Sequence, residues 1–199
     1  MRDAKTSDPV TVVTVCTGNI CRSPSAELLL RSLSARADIR FDSAGTHALV
    51  GKDMPAPASR LLAAALEQEM TPHSAKQLDM QKIKEASLIL GMAGEHKKFV
   101  CTAFPPAISR TFTILEFNAL LNVYPLQRLM AELPEDASTG DRLIMANRLL
   151  RRARGGLPSG ALNSFDVIDP YGRDDDVYEA SFEQMLPACQ NVAKFFRNL

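Results

Sequence analysis

The chain has no tryptophan, only three histidines and four cysteines, and no excess of either charge, with 23 Lys and Arg against 23 Asp and Glu. Balanced charge leaves no global field to recruit nucleic acid or an anionic membrane, so any anion site has to be local. The cysteines at 16, 21, 101 and 189 lack the paired spacing of a zinc site, and in a reducing compartment they read as thiols, not as a disulfide frame. No run is long and apolar enough to span a bilayer, and Met1 to Pro9 is polar and mixed in charge, unlike a signal peptide. A cytoplasmic protein is expected, with no membrane insertion and no nucleic-acid partner. Internal repeats and low-complexity tracts are also missing. With 199 residues, 46% of them hydrophobic, the chain can bury a real core as one domain, 1–199.

What is present is concentrated in Val15-Cys16-Thr17-Gly18-Asn19-Ile20-Cys21-Arg22-Ser23-Pro24. A cysteine, a five-residue arc, an arginine and a helix start together describe a phosphate-binding catalytic loop. The cysteine is a nucleophile, the N–H groups of the arc can converge on an anion as a nest, and the guanidinium can fork onto two phosphate oxygens. The helix N-terminus adds free donors and partial positive charge, which favour a bound phosphate and a thiolate alike.

The flanking sequence alternates strand and helix. Val10 to Val15 is almost wholly β-branched, as a buried parallel strand would be, and delivers Cys16 at its carboxyl end. Ser23 as N-cap and Pro24 in the first turn then start a helix to about Ser34, with Ala26, Leu29, Leu30 and Leu33 at helical spacing. Ile39 to Ser43 reads as a second strand, and Ala58, Leu61, Leu62, Ala65 and Leu66 as one face of a second helix. A third strand is expected around Leu88-Ile89-Leu90, a helix over Ala93 to Phe104, a break at Pro105-Pro106, a fourth strand over Arg110 to Thr113 and a helix over Leu115 to Leu121. The pattern predicts an α/β fold, a doubly wound four-stranded parallel sheet with helices on both faces. Ligands of such sheets bind outside the carboxyl ends of the strands, where Cys16 falls. From about 122 to 164 the character changes to a helical insertion, with helices over Leu126 to Glu132 and Arg142 to Arg152, a basic cluster Arg151 to Arg154 and a flexible loop Gly155 to Gly160. Tyr178, Phe182, Met185, Cys189, Val192 and Phe196 predict a last helix that packs on the sheet and carries Pro187.

Cys16-Thr17-Gly18-Asn19-Ile20-Cys21-Arg22-Ser23-Pro24 resembles the signature of the low-molecular-weight protein tyrosine phosphatases. Ser43-Ala44-Gly45-Thr46, Val50-Gly51, His73-Ser74-Ala75-Lys76-Gln77 and Asp169-Pro170-Tyr171 stand in that family's order, so the resemblance covers the chain apart from 122–164. It implies hydrolysis of phosphotyrosine in proteins in two steps without metal or cofactor. Cys16 attacks phosphorus to give a phosphocysteine while Asp169, as general acid, protonates the leaving phenolate; water then attacks with Asp169 as base. Thr17, Gly18, Asn19, Ile20, Cys21, Arg22 and Ser23 would hold the phosphoryl oxygens, Ser23 would donate to the thiolate, and Asn19 with His73 would brace the loop. Tyr171 would form one wall of the substrate slot and Leu49, where many relatives carry Trp, the other. Relatives with an aliphatic loop of this kind include bacterial enzymes acting on tyrosine kinases of exopolysaccharide export, which suggests that partner class. Lys76 stands where the family usually has Arg.

Alternatives stay open at several positions. Cys21 is either an inert thiol or a redox partner that captures oxidised Cys16 as a disulfide. Asp166 and Asp174 to Asp176 read as solvated loop and helix N-terminal charges, Cys101 and Cys189 as core thiols, and His47 and His96 receive no role. The Arg151 to Arg154 cluster reads as a solvated face, with docking of an acidic partner as the second reading. At the level of function, an arsenate reductase of the same fold would need a cysteine pair after the third strand, and Leu90 to His96 contains none. A silent phosphotyrosine-binding module would be expected to have lost Cys16, Arg22 or Asp169.

Overall fold

A computed structural model describes residues 10–158 and 165–199. The readings that touch Met1 to Pro9 and the end of the glycine loop at Ser159 and Gly160 lie outside the described residues.

Four strands, β1 (Val10–Cys16), β2 (Ile39–Gly45), β3 (Leu88–Gly91) and β4 (Thr111–Thr113), form one parallel sheet in the order β2-β1-β3-β4. β-Branched residues dominate β1, and Val12, Val13 and Val15 are buried because both faces of the central strand are covered. The register sets Cys16 beside Gly45 and Val15 between Ala44 and Gly91. The chain steps from β1 to β2 on one side and to β3 on the other, so the crevice at the carboxyl end of β1 is the topological switch point.

The helices are α1 (Arg22–Ser34), α2 (Ala56–Leu66), α3 (Met80–Glu85), α4 (Gly94–Ala103), α5 (Ile114–Val123), α6 (Leu126–Ala131), α7 (Thr139–Arg152) and α8 (Asp175–Asn198). α1 begins two residues earlier than expected, and Ser23 is not its cap. The N-cap is Cys21, with no side-chain bond, because the Ser23 hydroxyl is turned to Cys16 instead. α3 has no counterpart in the sequence reading: it is six residues long, starts on Asp79, whose carboxylate accepts from the Lys82 N–H, and buries only Ile83. The Pro105-Pro106 break is a short 3-10 turn, Pro105–Arg110. α8 runs through Pro187 and buries Met185, Cys189, Val192, Phe195 and Phe196.

The main core joins α1, α5 and α8 over one sheet face, with Phe41, Phe196, Phe195, Phe117 and Phe112 in successive edge-to-face contacts at 5.2 to 5.5 Å between centroids. Leu129, Leu133, Leu143, Ala146 and Leu150 of the 122–158 segment belong to this same core. Cys189 lies in it as expected, whereas Cys101 is only half-buried.

Candidate active site

The catalytic-loop residues converge because strand, arc and helix follow without a spare residue. Cys16 is buried at the end of β1, its sulfur 2.9 Å from Ser23 Oγ and accepting from the Asn19 N–H at 3.2 Å. Both groups can donate to a thiolate, the form in which sulfur attacks. Ser23 Oγ also accepts from Asn19 Nδ2 at 3.0 Å, and of the two acceptors for its own proton the Cys16 sulfur at 2.9 Å is nearer than Ala44 O at 3.5 Å.

Asn19 holds the arc in shape. It has φ of 56°, a conformation Asn tolerates better than most residues. Its Nδ2 donates to Ser43 Oγ at 2.9 Å, its Oδ1 accepts from the Lys76 N–H at 2.7 Å, and its carbonyl oxygen lies 2.8 Å from His73 Nε2. Lys76 itself pairs with buried Asp42, which also receives Lys82 Nζ at 2.7 Å. Burial works against the Asp42 carboxylate, and the two lysines outweigh it, so its pKa lies below the usual range. The loop after β2 is laced to the arc by Thr46 N–H to Cys16 O (2.9 Å), His47 N–H to Thr17 O (3.0 Å) and Leu49 N–H to Gly18 O (3.0 Å).

Arg22 is buried at the first position of α1. Its Nη2 meets Asp169 Oδ2 at 2.6 Å and its Nη1 donates to Val167 O at 3.3 Å, while the Asp169 carboxylate is about half exposed at 52%. The Tyr171 N–H donates to Asp169 Oδ1 at 3.2 Å, folding the Asp-Pro-Tyr segment over the loop. A cavity of about 150 Å³ remains, with Cys16 and Arg22 in its lining, apolar walls from Ile20, Leu49 and Tyr171, and Asp169 at the side. The sequence-predicted set is thus brought together around one hole, with His73, Asn19 and Ser23 holding the loop that lines it. Among the described residues no cluster of His, Cys, Asp and Glu could hold a metal ion.

Cys21 lines the same cavity and its sulfur lies 4.0 Å from Tyr178 Oη. Burial pushes its thiol up to about 12 and the Tyr178 phenol likewise to about 12, so both are protonated at neutral pH.

Four residues do more than the sequence reading gives them. His96 is buried with Nε2 3.0 Å from Thr17 Oγ1 and Nδ1 without a partner, and His47 lines the cavity with its ring edge-on to Phe99. The one signal for His96 was its place just past the carboxyl end of β3. Asp166 is not merely solvated: its Oδ1 accepts from the Gly94 N–H at 2.7 Å and so closes the N-terminus of α4. Arg154 turns inward, with Nε 2.8 Å from buried Glu116 Oε1 and its guanidinium over the Phe112 ring.

A sequence model of the family described as low molecular weight phosphotyrosine protein phosphatase matches residues 11–122. The low molecular weight protein-tyrosine-phosphatase Ptp of Acinetobacter johnsonii is 36% identical over 103 residues, 52% of this chain and 70% of that protein. A protein-arginine-phosphatase of Bacillus subtilis is 31% identical over 187 residues, 92% of this chain and 94% of that protein. Among solved structures, the YwlE arginine phosphatase of Geobacillus stearothermophilus superposes with a TM-score of 0.66 at 24% identity, over 94% of this chain and 92% of that one.

Proposed function

The chain belongs to the low molecular weight phosphotyrosine protein phosphatase family, and from that premise we propose that it hydrolyses phosphotyrosine in proteins through a phosphocysteine intermediate. The observation that carries this is the convergence on one cavity of the Cys16 sulfur, the Arg22 guanidinium and the Asp169 carboxylate. An incoming phosphoryl dianion displaces Asp169 from Arg22 and takes the guanidinium as a two-pronged clamp. The carboxylate so freed takes up a proton from solvent and, as the acid, faces the leaving oxygen. Cys16 then attacks in line as the S–P bond forms and the P–O bond to the phenol breaks, with the proton passing from Asp169 to the phenolate. In the second step water gives its proton to Asp169, the new P–O bond forms and Cys16 leaves as thiolate. Thr17 through Ser23 supply N–H groups to the equatorial oxygens in both steps, so most of the acceleration is electrostatic.

The walls argue for an aryl leaving group. Ile20, Leu49 and the Tyr171 ring offer apolar contact to an aryl group, worth about 0.5–1.5 kcal/mol at Tyr171 beyond buried area. The arginine-phosphatase relative over nearly the full chain favours a second reading, phosphoarginine hydrolysis. A departing guanidine needs hydrogen-bond acceptors around it, and among the described cavity walls Asp169 is the one carboxylate. Paired kcat/KM measurements on a phosphotyrosine peptide and its phosphoarginine counterpart test this; preference for phosphotyrosine supports the first reading, and preference for phosphoarginine sinks it. The partner is then a tyrosine-phosphorylated protein, with a bacterial tyrosine kinase as the finer candidate, to be sought with Cys16→Ser as a trap. The four free thiols fit a reducing, cytoplasmic setting, and among the described residues no helix is long and apolar enough to cross a membrane. We also propose Cys21, which is otherwise an inert thiol, as a redox guard of Cys16. Its protonated state makes disulfide capture of an oxidised Cys16 slow, and a Cys21→Ser enzyme that recovers fully from peroxide on adding thiol would refute the role.

A further inference from the structure

The end of the sheet remote from Cys16 carries a second and larger cavity. It holds about 550 Å³ between the start of β1, the turn from α3 to β3, the 3-10 turn before β4 and the flank of α7, and it shares no residue with the cavity at Cys16. β1 is seven residues long, so at about 3.3 Å per residue the two cavities lie roughly 20 Å apart.

Its lining is cationic, and two of its three cations, Lys84 Nζ and the Arg110 guanidinium, also lie 5.9 Å from the centre of the Phe104 ring. Lys84, Arg110 and Arg148 all face it, and among the described residues none of the three pairs with a carboxylate. Arg110 is half-buried; its Nη2 donates to the carbonyls of Ile83 and Lys84 at 3.2 Å, and its Nε is enclosed with no acceptor. The one acid in the lining, Glu85, accepts from Gln81 Nε2 at 2.7 Å and forms no ion pair with the three cations. Asn147 is 2% exposed, its Nδ2 reaching Ser87 O at 3.5 Å and its Oδ1 meeting no donor. Ser87 Oγ accepts from the Thr11 N–H at 3.2 Å, which leaves its own proton to give. Cations with no carboxylate partner among the described residues and a buried amide oxygen with no donor are both met by one kind of ligand.

We infer that this cavity binds a small phosphate monoester that also carries a hydroxyl or amino donor. Arg110 and Arg148, with Lys84, take the phosphate oxygens, for which guanidinium forks are matched, and the donor meets Asn147 Oδ1. A concave site of this volume with buried polar groups suits a small molecule better than the exposed side chains of an acidic protein.

Ribose 5-phosphate is the probe, and amide NMR of the 15N-labelled full chain separates the two cavities by position. Saturable shifts are expected at Ser87, Arg110 and the Asn147 side-chain amide, as a set distinct from any at residues 17–23. Arg148→Glu, at an exposed position, should weaken binding at that set by at least about tenfold while leaving turnover of p-nitrophenyl phosphate unchanged. Asn147→Leu should erase the advantage of ribose 5-phosphate over inorganic phosphate. The inference is overturned if no shifts saturate at the remote set up to about 10 mM probe, if Arg148→Glu binds as tightly as the unaltered protein, or if inorganic phosphate binds wild type as well as the sugar phosphate does.

Discussion

Burial, reinforced by the Arg22 guanidinium, pushes the His96 imidazole down to about 4, so the ring is neutral in the folded protein at pH 7. Glu95 Oε1 at 3.5 Å from Nε2 favours the proton there, which makes the ring a donor to Thr17 Oγ1. An unfolded chain takes up this proton near pH 6.5 and the folded one only near pH 4, so between those values the unfolded state binds more protons. Stability from this group is therefore present above about pH 6.5 and lost as pH falls to 4, by up to about 3 kcal/mol. Urea midpoints across that window should fall for wild type and flatten in His96→Gln; parallel curves would remove His96 as the cause. Asp38, drawn down to about 2 by Arg36, begins to lose its contribution only from about pH 5 downward and so overlaps just the lower end of the window. At Asp169 the expectation is kinetic: Asp169→Ala should slow phenyl phosphate far more than p-nitrophenyl phosphate, since a good leaving group needs less protonation. Equal losses on both would strip Asp169 of the acid role. His96 shows why single residues are the least legible scale. Nothing in its neighbours Glu95 and Lys97 announces burial, whereas Cys16 and Arg22 were legible because their spacing has a chemical meaning.

Elements carry the site through backbone contact. At the end of β2 a Cβ on Gly45 would lie 2.5 Å from Thr17 O and 2.9 Å from Ala48 Cα, both rigid backbone. Gly45→Ala must therefore push the arc away from the strand, and a displacement of about 1 Å in a catalytic group costs roughly 10²-fold in kcat. Gly51, at φ +79° with open space around it, is the contrast. Gly51→Ala should cost about 1–2 kcal/mol of stability with kcat retained. Turnover of p-nitrophenyl phosphate beside thermal midpoints for both variants checks the pair, and retained activity in Gly45→Ala would contradict the geometry. Strands with β-branched runs and helices with long apolar stripes were legible in the sequence, as β1 and α8 show. α3 was not, because six residues with one buried side chain leave no period to read. Ser23 was misread because capping and donating to sulfur call for the same hydroxyl, and sequence does not say which neighbour it meets. Asp166 is exposed as expected, but its bond to α4 was not legible for a related reason: the N-terminus it closes lies 72 residues away.

At the scale of the molecule the question is whether residues 122–158 fold with the sheet or apart from it. Leu143 and Leu150 of α7 share one core with Leu90 of β3 and Phe196 of α8. Arg142 Nε donates to Leu199 O at 2.6 Å, and Thr139 Oγ1 donates to Asp38 Oδ2 at 3.0 Å, so α7 is tied both to the end of α8 and to the start of β2. A segment so joined should not unfold alone. Leu143→Ala should cost about 2–5 kcal/mol, a large share of the roughly 5–15 kcal/mol that holds a domain of this kind. The chain's composition supplies the probes. With no tryptophan and three tyrosines, fluorotyrosine labelling gives few signals, of which Tyr124 reports the start of the helical segment and Tyr178 the packing beneath the catalytic loop. Both resonances should vanish at one urea concentration in wild type and at one lower concentration in Leu143→Ala. Loss of the Tyr124 signal ahead of Tyr178 would make the segment a separate unit, and the one-domain reading of this chain would fail with it.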